Sequence, residues 1–141
     1  MNLIQKFLTQ NDCYKLATPM TPKHIIVHST GANNPRISRY ADFPTVEESG
    51  VLGYNRNQNG WNHPNVSKMV HFFIGKLEDG SVATCQVMPT DWKSWNCGSG
   101  PKGSYNGSSI SWEICEDGRQ DRDYFEATYK EAKELAALMC K

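Results

Sequence analysis

The sequence predicts a single α/β domain. Three observations carry that expectation. Two runs rich in β-formers flank Asp79-Gly80, residues 109–115 alternate in polarity, and the last stretch of the chain has a helical apolar spacing. A chain of 141 residues suits one domain and is long enough to bury a core without disulfide staples.

Taken in order, Leu3, Ile4, Phe7 and Leu8 have the spacing of a short amphipathic helix over residues 1–9. Pro19 and Pro22 break the chain, and a strand then runs from about Lys23 to Ser29. Residues 31–65 are rich in Asn, Gly, Pro and charge and read as a long decorated loop, with one helical turn near Thr45–Val51. Loops of that length inside a domain are uncommon and usually functional. Strands of about 69–77 and 82–88 follow, joined at Asp79-Gly80, where both central turn residues are expected at positive φ. A second loop, 89–108, carries Trp92 and Trp95. In the strand after it, Ile110, Trp112 and Ile114 face one way and Ser111, Glu113 and Cys115 the other. The closing helix is expected to be capped by Asp123. Its apolar face is expected to hold Phe125, Tyr129, Ala132, Leu135, Ala136 and Met139, with Glu126 and Lys130 paired on the wet side.

Fifteen basic and fifteen acidic side chains cancel, so the chain has no electrostatic footprint for nucleic acid. No apolar run approaches the ~20 residues of a membrane span. The N-terminal stretch lacks the continuous apolar core of a secretory signal, so the chain is expected to start in the cytoplasm. Five cysteines, unpaired in spacing, read as free thiols.

Two kinds of side chain carry possible chemistry. His24, His28 and Thr30 share one face of the first predicted strand, and His71 shares a face with Met69 and Phe73. Histidines on neighbouring strands are either structural or metal ligands, and a catalytic zinc centre takes three protein ligands with one open position. Glu113 stands in a strand otherwise made of Ile, Trp and Ile. A carboxylate there is costly to bury without a partner or a task. It reads either as a general base or as a solvated residue on an edge strand. The aromatic and amide side chains of the 89–108 loop suit a polar, sugar-like or peptide ligand, with packing on the core as the alternative.

The ordered set "KHIIVHSTGAN", "VHFFIGKLEDGSVATCQVMP", "WNCGSG" and "SISWEICED" resembles the zinc-dependent N-acetylmuramoyl-L-alanine amidases of the type-2 amidase family. The likeness is nearest to phage and prophage endolysins, and peptidoglycan recognition proteins share the fold. It covers about residue 11 to 141. The resemblance implies a central mixed β-sheet flanked by helices. It also implies hydrolysis of the amide joining muramic acid to the L-alanine of the peptidoglycan stem peptide, on a zinc-bound water. It makes His28 a zinc ligand, Glu113 the general base or water-orienting group, and His71, Trp95 and Asn96 substrate contacts. Asn96 stands where relatives often have histidine.

The family's other zinc ligands follow its last helix, so the zinc site of residues 1–141 is expected to be incomplete and the chain to lack a C-terminal segment. That leaves two alternatives to an active amidase, a muropeptide-binding module without turnover and an inactive remnant. The resemblance further implies synthesis without a signal peptide and action on the cell wall after phage-type release.

Overall fold

A computed structural model describes residues 1–141. Its centre is one mixed five-stranded sheet in the order β1-β4-β3-β5-β2. The strands are β1 (Leu3–Gln5), β2 (His24–Ser29), β3 (Phe72–Lys76), β4 (Val82–Gln86) and β5 (Ser109–Ile114). Only β3 and β4 pair antiparallel; β2–β5, β3–β5 and β1–β4 are parallel. Short helices α1 (Asp12–Leu16) and α2 (Val46–Ser49) lie in the connections, and α3 (Arg122–Met139) closes the chain. The mixed sheet and helices are as the resemblance implies.

The period-2 pattern sorts the side chains into two layers. Phe72, Ile74, Ile110 and Trp112 meet Leu135 of α3 on one face. Phe73, Cys85 and Cys115 lie on the other, under Leu8, Ile37, Tyr40 and Leu52 from the loops. Tyr40, Trp61 and Phe73 pack as an aromatic group, with the Tyr40 and Phe73 rings stacked at 5.5 Å and Trp61 edge-on to Phe73 at 5.0 Å. The long 31–65 loop is therefore a structural layer over the sheet.

Five local expectations are corrected. The N-terminus is a strand and not a helix. Three residues of β1 complete the open edge of β4, Leu8 is buried beyond it, and Glu131 of α3 accepts from the Asn2 amide at 3.0 Å and the Thr84 hydroxyl at 2.7 Å. Pairing with a waiting sheet edge outweighs a weak helical spacing.

The hairpin turn has one left-handed residue, Gly80 at φ +87°, and not two. The Gly80 amide reaches back to the Leu77 carbonyl and the Leu77 amide to the Ser81 carbonyl, a three-residue loop with a glycine bulge.

Asp121, two residues before the expected cap, accepts from the Tyr124 amide at 3.1 Å. The buried stripe of α3 is Tyr124, Thr128, Glu131 and Leu135. Phe125 and Tyr129 stack on each other in solvent. Glu126 pairs with Arg122 at 2.9 Å and not with Lys130. The expected helical turn near Thr45 is present, capped by the Thr45 hydroxyl.

Candidate active site

The parallel register of β2 with β5 pairs His24 with Ser109, Ile26 with Ser111 and His28 with Glu113. Equal spacing along adjacent strands puts all six on one face. His28 and Glu113 are each the penultimate residue of their strand. They stand at the carboxyl ends of two parallel strands, where open α/β sheets place their ligand sites.

Glu113 is half-buried, and its Oε2 is enclosed without any hydrogen-bond partner. Burial pushes its carboxyl upward, with the neighbouring Glu116 adding to the rise while His28 and Lys68 oppose it. An orphaned carboxylate oxygen is expensive in a static core and useful at a reacting centre.

His28 is half-buried, and its Nε2 lies 3.0 Å from Asn96 Oδ1. The small residues after it are used to fix the strand exit. The Ser29 hydroxyl and the Gly31 amide both donate to Glu116, while Thr30 Oγ1 accepts from the Tyr40 hydroxyl and the Glu116 amide. Gly31 takes φ +66°, which a residue with Cβ adopts at a cost.

Asn96 and Trp95 line an open groove of about 600 Å³, together with residues 65–68, Cys97 and Gly98. Trp95 is 54% exposed. Trp92, its neighbour in sequence, instead packs edge-on to Tyr14 at 5.1 Å. The loop thus divides its two tryptophans between exposed groove wall and core.

His71 is placed differently from the expected cleft contact. It has no exposed surface, its Nε2 donates to the Trp92 carbonyl at 2.8 Å, and its Nδ1 accepts from the Ser111 amide at 3.0 Å. Burial lowers its pKa to about 4, so the ring is neutral. It ties the 89–108 loop to β5 and cannot touch a substrate in this arrangement. Of the other histidines, His24 packs on Tyr105 and His63 bonds Asp42 at 2.6 Å. Sequence reasoning passed over Ser94, which is fully buried and bonds both Asn96 and Ser111. A lone serine in a loop gives no pattern to read.

The donor set falls short of a zinc centre. His28 offers one ring nitrogen and Glu113 one orphaned oxygen, and no group of three His, Cys, Asp or Glu is poised to hold a metal. A catalytic zinc takes three protein ligands.

A family model described as N-acetylmuramoyl-L-alanine amidase matches residues 18–141. The chain belongs to that family. Three solved structures resemble this amidase-family chain, and 99% of it is covered in each. A mutant endolysin from Bacillus subtilis is 26% identical, with a TM-score of 0.62 and 76% of its own chain covered. The PlyG catalytic domain is 27% identical, with a TM-score of 0.59 and 71% covered. The catalytic domain of XlyA is 25% identical, with a TM-score of 0.60 and 76% covered. No curated protein matches the amidase-family chain. No helix in it is long and apolar enough to cross a membrane.

Proposed function

We propose that the chain hydrolyses the amide between muramic acid and the L-alanine of the peptidoglycan stem peptide, with Glu113 as the base. The observation that carries this reading is the orphaned, half-buried Glu113 carboxylate beside His28, whose ring bonds Asn96 on the wall of an open groove. Amide hydrolysis needs a proton taken from water and then given to the departing amine, and one positioned carboxyl can do both. Burial that raises the Glu113 pKa brings it closer to working pH and improves it for each half of that task. Lys68 lines the groove and opposes that rise, limiting it. The exposed ring of Trp95 supplies a flat apolar face for the sugar, and the Asn96 side chain supplies hydrogen bonds to its polar groups.

The zinc dependence implied by the resemblance belongs to this proposal, with His28 as one ligand. One imidazole and one carboxylate do not complete the ligand set, so the proton transfers above run through the chain's own side chains. We place the action at the cell wall, reached by phage-type release.

Digestion of purified cell walls, with and without added zinc, tests the reading. New L-alanine amino termini without new reducing sugar ends are expected. New reducing ends, or amino termini of another residue, would contradict it. The incomplete donor set favours a second reading, muropeptide binding without turnover. Calorimetric titration of a muramyl peptide that shows binding while the cell walls stay intact would favour it.

A further inference from the structure

Three polar side chains link the deepest histidine to the one at the sheet rim. His71 Nδ1 lies 3.3 Å from Ser111 Oγ, Ser111 Oγ lies 3.3 Å from Ser94 Oγ, Asn96 Nδ2 lies 2.8 Å from Ser94 Oγ, and Asn96 Oδ1 lies 3.0 Å from His28 Nε2. Ser94, Ser111 and His71 have no exposed surface, so water does not substitute for any member of that stretch.

The chain has a direction, set at its buried end. The partner of His71 Nε2 is the Trp92 carbonyl, which can only accept, so Nε2 carries the ring proton. His71 Nδ1 is then a lone pair, and it already accepts from the Ser111 amide. For the Ser111 hydroxyl to bond that lone pair it must donate. Its oxygen then accepts from the Ser94 hydroxyl. Ser94 has spent its only proton and accepts in turn from the Asn96 amide nitrogen. That orientation turns the Asn96 carbonyl oxygen toward His28, where only an N–H makes a hydrogen bond.

We propose that Ser111, Ser94 and Asn96 are positioning residues that transmit the fixed tautomer of His71 to His28, holding its proton on Nε2 and leaving Nδ1 as the lone pair it offers to a ligand. The loop that carries Asn96 is itself pinned. Asn106 Oδ1 accepts from the backbone amides of Asn96 and Cys97, and its own amide donates to the Cys97 carbonyl at 2.8 Å. The backbone at residue 96 is therefore fixed, and its side-chain amide is held between Ser94 and His28. The assignment gives His71 a role at the site without any contact to substrate.

The inference rests on His28 belonging to the site, but its test does not use activity, so its failure is separable from failure of the amidase reading. Long-range proton–nitrogen correlation spectra report which ring nitrogen of each histidine carries hydrogen. In the wild-type protein at alkaline pH, we expect His28 and His71 both as the Nε2–H form. Ser94→Ala breaks the chain at its middle and is expected to raise the minority Nδ1–H form of His28 by about tenfold, equivalent to about 1.4 kcal/mol. His63, held separately by Asp42, is expected to be unmoved and reports that the variant is folded. A wild-type His28 in the Nδ1–H form overturns the proposal whatever the variant does. So does a folded Ser94→Ala protein with unchanged His28 nitrogen shifts.

Discussion

His28 and Glu113 face the same way from adjacent parallel strands, as direct register partners, one residue before each strand ends. The relationship follows from β2 entering the sheet beside β5 and parallel to it. A one-residue slip would turn one of the two side chains to the α3 face, so strand register and active site are one specification.

Replacing Glu113 should separate activity from stability. Glu113→Gln keeps the shape and removes the buried charge. Loss of a positioned base costs about 10²–10⁴ in rate. Because burial raises the Glu113 pKa, the folded chain holds this proton more tightly than the unfolded chain. Stability therefore falls as pH rises from the ordinary carboxyl value through the raised one. The variant should lose that fall and be at least as stable as wild type at pH 7. Cell-wall turbidity assays and urea midpoints, measured on the same preparations, check both halves.

His71 works in the opposite sense. Its pKa falls from 6.5 to about 4, so the unfolded chain takes up a proton first as pH drops. The contribution is fully present above pH 6.5 and is lost as pH falls toward 4, about 3 kcal/mol in all. Urea unfolding across that range should show the decline. Nuclear magnetic resonance should show no titration of the His71 ring between about pH 7.5 and about pH 5.

The N-terminal strand depends on Glu131. Its carboxylate accepts from the Asn2 amide and the Thr84 hydroxyl, and Glu134 beside it meets the amino terminus. Glu131→Ala leaves both donors without their acceptor and should cost about 2–4 kcal/mol. Hydrogen exchange should report the loss first in residues 2–6, before the rest of the sheet.

Gly75 is needed for closeness. A Cβ there would lie 2.6 Å from the Pro35 carbonyl and 2.8 Å from Cys115 Sγ. Gly75→Ala should destabilise by about 1–3 kcal/mol, read from the denaturation midpoint.

Elements with strong local chemistry were legible in the sequence. Strands β2 to β5 follow from β-former runs and alternation, and the two faces of β5 were assigned correctly from period 2 alone. What local pattern could not show was competition from the rest of the chain. Residues 3–5 became a strand because β4 had an open edge. The buried stripe of α3 runs through Tyr124, Thr128, Glu131 and Leu135 because these meet the sheet, leaving Phe125 and Tyr129 in solvent. At the site, the residue types of His28 and Glu113 carried the signal, and the structure brings the two together. The resemblance made His71 a cleft residue, and the strand pattern gives no hint that the 89–108 loop covers it. Ser94 left no trace, since its role comes from what lies 3 Å away and not from its neighbours in the chain.

The measurement closest to the central claim is a double-substitution cycle on cell-wall hydrolysis with His28→Ala, Glu113→Gln and both together. Groups that serve one reacting centre are strongly non-additive. We expect each single change to abolish most of the rate and the double variant to be no slower than the slower single. Two singles that retain wild-type rates, or penalties that multiply in the double variant, would contradict a shared site.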